Sequence, residues 1–83
     1  MKMAVLAVRD IKTDQFSNPM FTPSIGSGQR AFTDAVNNQD KDNQLYLHPE
    51  DFELYELGTY DTQTGLFDTG SPKQLTVGSN VKT

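Results

Sequence analysis

The stretch His48-Pro49-Glu50-Asp51-Phe52-Glu53-Leu54-Tyr55-Glu56-Leu57-Gly58-Thr59-Tyr60-Asp61-Thr62-Gln63-Thr64-Gly65 constrains the fold more than any other part of this chain. Pro49 fixes its own φ and steers His48 away from the helical region, so the chain enters the stretch through a bend. From Phe52 to Tyr60 an aromatic or aliphatic residue recurs at nearly every second or third position, and Asp61 to Gly65 supplies turn chemistry. Alternation places Phe52 and Leu54 on one face and Tyr55 and Leu57 on the other, the pattern of a strand covered on both sides. A second reading competes with it: Pro49 at the first helical position, Glu50 and Asp51 in the first turn and Gly58 just past the end also describe a two-turn helix. The turn favours the strand, because a hairpin needs a strand on each side, with Gly65 free to take positive φ and Leu66-Phe67-Asp68 as the return.

The rest of the chain arranges itself around that hairpin. Met3 to Val8 is a short, continuous apolar run stopped by Arg9-Asp10, which suits a central strand buried on both faces. Between Ile11 and Ser24, Asp14, Ser17, Asn18, Pro19 and Pro23 exclude long regular structure, and Phe16, Met20 and Phe21 punctuate the loop. A helix is expected from about Gly28 to Asn37, capped by Ser27, with Ala31, Phe32, Ala35 and Val36 on its apolar side. Asn37 to Asn43 reads as an exposed polar connection. Thr69-Gly70-Ser71-Pro72 reads as another turn, Gln74 to Val77 as a last short strand, and Gly78 to Thr83 as a frayed end. The sum is one α+β domain over residues 1–83, with one helix packed on a mostly antiparallel sheet of about three to four short strands.

A chain of 83 residues, 35% of them hydrophobic, lies near the lower limit for a single apolar core. It has no cysteine, so no disulfide supplements the packing and no thiolate ligand or thiol nucleophile is available. Self-association into a homo-oligomer is the expected remedy. No apolar run is long enough to span a bilayer and no secretory cleavage pattern is present, so a soluble cytoplasmic protein is expected. The net charge of −4 is unevenly placed: Lys2, Arg9, Lys12 and Arg30 face only Asp10 and Asp14 in the first thirty residues, whereas three lysines face nine acids thereafter.

Few residues form a constellation that could carry chemistry. His48 is the only histidine and has no evident acid or nucleophile partner; before Pro49 it serves a bend. Glu50, Asp51, Glu53 and Glu56 could ligate a hard cation only if they converged, and strand alternation divides them between faces, so a solvated acidic surface is expected and no metal or cofactor. Phosphate-binding loops, dinucleotide fingerprints and glycine-flanked nucleophilic serines are all missing from the sequence. The reading is therefore non-enzymatic. What remains is Lys2, Arg9, Lys12 and Arg30 together with Phe16 and Phe21. Cations that follow phosphates and rings on which bases stack are the two requirements for holding single-stranded nucleic acid, and oligomerisation would multiply both. A second reading has the acidic face of Glu50, Glu53 and Glu56 docking on a basic surface of a partner protein.

Arg30-Ala31-Phe32-Thr33-Asp34-Ala35-Val36-Asn37, together with the block from His48 to Gly65, resembles the small nonstructural protein of gokushovirus-type microviruses, bacteriophages with circular single-stranded DNA. Val8-Arg9-Asp10 and Pro19-Met20-Phe21 match a similar strand end and proline-aromatic step, so the resemblance runs from residue 1 to about residue 67. It implies a phage-encoded DNA-binding protein of the host cytoplasm, absent from the virion. Such a protein is expected to act when replication shifts to single-stranded progeny genomes, and the resemblance makes the partner of the second reading a phage or host replication protein. The resemblance transfers no catalytic motif and assigns no contact residue.

Overall fold

In the computed structural model, which describes residues 1–83, the chain winds around one central strand. β1 (Lys2–Asp10) is the apolar run together with its charged ends, and Ala4 to Ala7 within it are buried. On one side β1 pairs antiparallel with β4 (Phe52–Asp61) along its whole length, and β4 pairs in turn with β5 (Leu66–Val77). On its other side β1 is shared by two short strands, β2 (Gln15–Phe16) near its end and β3 (Met20–Thr22) near its middle. All pairings are antiparallel and the hairpin from His48 onward forms as the sequence indicates, with Gly65 at φ 75° in its turn.

Helix α1 (Ile25–Val36) lies on one face of this sheet. Its Gly28, Phe32 and Val36, spaced at one-turn intervals, are its buried residues, and Phe32 and Val36 close on Ala4, Leu6 and Leu54 to make the core. Val8, Met20, Ile25, Leu45, Phe52, Leu75 and Val81 extend that core outward. Fully burying a side chain such as Leu6 or Leu54 stabilises by about 1.5–3 kcal/mol. Only nine of the 83 residues are buried, however, so the core is thin.

Four expectations need correction. The helix begins at Ile25, not near Gly28, because Ser24 rather than Ser27 is the N-cap: its Oγ accepts from the Ser27 backbone N–H at 3.1 Å. The loop from Ile11 to Ser24 contains β2 and β3, since its aromatic and apolar residues meet the free edge of β1. The turn expected at Thr69 to Pro72 is absorbed into one long strand. The register steps from Gly58 opposite Thr69 to Glu56 opposite Lys73, and β5 has no further neighbour, so Pro72 need supply no ladder donor. Gly78 to Thr83 does not fray, for Gly78–Val81 forms a short helix, α3. Asn37 holds that end: its Nδ2 donates to the Val81 carbonyl at 2.9 Å and its Oδ1 accepts from the Thr83 N–H at 2.7 Å. Lys82 adds a hydrogen bond to the Tyr46 carbonyl at 3.0 Å and lies 3.7 Å from the centre of that ring. Tyr46 belongs to α2 (Gln44–Leu47), which leads through His48 into a 3-10 turn, Pro49–Asp51, at the start of β4.

Candidate nucleic-acid interface

Alternation along β1 divides the sheet into two faces. Ala4, Leu6 and Val8 turn towards α1, while Met3, Val5, Ala7 and Arg9 turn away from it. Residues directly opposite one another in an antiparallel pair share a face, so the pairing carries the division across the sheet. The register sets Phe16 opposite Arg9, Phe21 opposite Val5, Tyr55 opposite Ala7, Tyr60 opposite Met3, and Phe67 opposite Tyr60. Five rings therefore stand on the face that no helix covers. Of the five phenylalanines and three tyrosines, only Phe32, Phe52 and Tyr46 lie elsewhere.

The rings form two groups. Phe16 meets Tyr55 edge to face, with centroids 5.3 Å apart. Phe21, Tyr60 and Phe67 form a triad with centroid separations of 5.7, 6.1 and 4.7 Å. Such contacts contribute about 0.5–1.5 kcal/mol per pair beyond area burial, enough to hold each group in place. Phe16 is nevertheless 44% exposed, Phe21 43% and Phe67 57%, while the strand floor at Val5 and Ala7 is sealed. The two groups are centred about four residues apart along β1, a separation of ~13 Å at about 3.3 Å per residue.

One irregularity makes this face possible. Tyr60 follows Tyr55 by an odd step of five positions, and in an unbroken strand alternation would send them to opposite faces. Between the pairs Leu6–Glu56 and Val5–Gly58, β4 carries one residue more than β1, and this β-bulge at Leu57 turns Tyr60 onto the same side as Tyr55. Gly58 takes φ 151° there, and a Cβ on it would collide with the Asp68 carbonyl and crowd Thr69 Cα.

The charges are less well gathered. Arg9 lies on the open face beside the Phe16–Tyr55 group, where its Nη1 donates to Glu53 Oε1 at 3.3 Å and its Nη2 to Asp14 Oδ1. The hydrogen bond to Asp14, ahead of the one to Glu53, raises the guanidinium pKa above its usual value against partial desolvation. Glu53 also accepts from the Tyr55 hydroxyl at 3.1 Å, and burial first, then that hydrogen bond, pushes the phenol above its ordinary range. Lys12 is exposed in the β1–β2 turn at the rim of the face, its backbone N–H bonded to Asp10 Oδ1 at 3.0 Å. Lys2 sits opposite Asp61 at the far, hairpin end of β1, on the register that faces away from the rings. Arg30 is exposed on α1, so the whole thickness of the sheet separates it from Phe16 and Phe21.

Of the six residues singled out from sequence, Arg9, Phe16 and Phe21 thus share one surface, Lys12 borders it, and Lys2 and Arg30 stand apart. Tyr55, Tyr60 and Phe67 complete the surface and were not singled out; the alternation of Tyr55 against Phe52 pointed to the first, but the bulge concealed the second. Glu50, Glu53 and Glu56 do not form one acidic face. Glu53 is engaged by Arg9 on the open side, Glu56 lies opposite Leu6 on the helix side, and Glu50 belongs to the 3-10 turn. That turn gathers His48, Glu50 and Asp51 with donor atoms within 4.8 Å of one another at an exposed corner. No helix is long and apolar enough to cross a membrane.

Among known proteins, a family model described as Phage ORF5 protein matches residues 3–81. No curated protein and no solved structure matches the chain.

Proposed function

The chain belongs to the Phage ORF5 protein family, and from that premise we propose that it is a non-enzymatic phage protein that binds single-stranded DNA across the open aromatic face of its sheet. The observation that carries this reading is the set of five rings on a face that nothing in the chain covers, three of them roughly half exposed. Exposed apolar groups of this size are costly to leave in water and mark interaction surfaces. Rings standing on a strand floor offer flat π-faces, on which bases of any sequence stack at about 1–3 kcal/mol each. Two groups of rings along β1 would seat separate bases of one strand, with Arg9 and Lys12 at one end to meet its phosphates.

The biological setting is that of the resemblance: a gokushovirus-type microvirus, the host cytoplasm, and the shift from double-stranded intermediates to single-stranded progeny genomes. Self-association belongs to the same reading. A subunit with so few buried residues gains stability from a partner copy, and several copies along one strand would multiply two rim cations into a track.

Anisotropy of a fluorescein-labelled oligodeoxythymidylate, titrated with the protein at low salt, tests the proposal. Binding is expected, and it should be less salt-sensitive than that of a basic protein: two phosphate contacts give log K a slope of about −1.4 against log salt, at about −0.7 per phosphate. No binding at low salt would remove the reading.

A further inference from the structure

Arg9 is the one cation of the ring-bearing face, and it is already occupied. Its two carboxylate partners are not equivalent. Glu53 is 15% exposed, sits directly opposite Arg9 in the β1–β4 register and is held a second time by the Tyr55 hydroxyl, so it is part of the wall. Asp14 is 78% exposed, ends the turn between β1 and β2 at φ 56°, and its side chain has no hydrogen-bond partner besides Arg9. A carboxylate reaching from an exposed turn onto a guanidinium offers the same paired anionic oxygens that a phosphodiester does.

We propose that Asp14 is an internal substitute for a backbone phosphate, a latch that occupies the Arg9 subsite of the aromatic face and is displaced when a phosphodiester of single-stranded DNA arrives there. This rests on the proposed single-strand binding. It assigns Arg9 as the phosphate contact beside the Phe16–Tyr55 group and makes an acidic residue a brake on affinity.

Asp14→Asn tests it cleanly, because asparagine keeps the size and tolerates the left-handed backbone. Asp14→Gly, which tolerates that backbone still better, gives the same readout if the first variant folds poorly. Exposed ion pairs are weak, so freeing Arg9 should tighten binding of the labelled oligodeoxythymidylate modestly, by up to about fivefold. The gain should vanish when Arg9→Gln is added, and Asp40→Asn, which changes net charge equally in the distant polar connection, should give none. Unchanged or weaker binding by the Asp14 variants, or a gain that survives the loss of Arg9, would overturn the latch while leaving single-strand binding intact. If neither the wild type nor the Asp14 variants bind, the functional reading fails and the latch falls with it.

Discussion

The two faces of the sheet draw on the same strands and nearly the same kinds of residue, yet one is closed and the other is not. On the helix side, Ala4, Leu6 and Leu54 meet Phe32 and Val36 and are almost fully withdrawn from water. On the opposite side, Val5 and Ala7 are equally withdrawn, but they are roofed only by rings that are themselves partly exposed. The difference shows that burial of a strand floor does not need a second layer of secondary structure. Large side chains lying across it suffice, and they leave their outer surfaces free for a ligand. In the proposed reading the closed face supplies stability and the open face recognition, and substitutions on each should separate the two.

Leu54→Ala on the closed face should have the largest effect on folding, about 2–5 kcal/mol by chemical denaturation, from lost transfer energy and the cavity left behind. The protein that stays folded should bind DNA with unchanged affinity. Gly58→Ala attacks the hinge between the faces and should cost about 1–3 kcal/mol, since it forces a side chain into a backbone conformation and a space that only glycine accepts. It should also weaken binding, because it disturbs the bulge that turns Tyr60 towards the other rings. Phe67→Ala, by contrast, should cost about 1–3 kcal/mol of stability in a denaturation curve, from its two ring contacts and less than Leu54→Ala, while weakening oligonucleotide binding by about 1–3 kcal/mol. A Phe67 variant as unstable as Leu54→Ala, with normal binding, would erase the division of labour.

The smallest effect concerns the hairpin end that both faces share. There the Asp61 carboxylate accepts from the Gln63 backbone N–H at 2.9 Å, and this bond, then the amino-terminal charge, the Thr64 backbone and Lys2, lower its pKa below the usual 3.8 despite some desolvation. A depressed carboxylate stabilises the fold above its unfolded value and stops doing so as pH falls through the folded one. Thermal stability should therefore decline below about pH 3.8, and Asp61→Asn should flatten that part of the pH profile.

How much of this was legible beforehand follows from which signals are local. The central strand, the hairpin and the facing of Phe52 and Leu54 against Tyr55 were readable because period and turn chemistry lie within a few residues of one another, whereas Leu57 falls at the bulge, where the alternation breaks. The length of β5 was not, since Gly70 and Pro72 punctuate a sequence whatever the strand does, and only its edge position makes them tolerable. The short strands β2 and β3 were hidden because Phe16 and Phe21 gain strand geometry from β1 and not from their neighbours. The make-up of the ring-bearing face was half visible. Arg9, Phe16 and Phe21 were marked by residue type, but the placing of Tyr60 and Phe67 beside Phe21 depends on a one-residue bulge, and the removal of Arg30 to the far side depends on which face the helix covers. Pairing of Arg9 with Asp14 and Glu53 required the register, which joins residues 9 and 53 across the sheet.

The most direct test is a heteronuclear NMR titration of the isotopically labelled protein with oligodeoxythymidylate, following backbone amides and aromatic ring protons together. Shifts should concentrate on Phe16, Phe21, Tyr55, Tyr60 and Phe67 and on the strands beneath them, with α1 around Arg30 silent. Shifts centred on α1, with the five rings unmoved, would contradict the assignment of the open face as the surface that holds DNA.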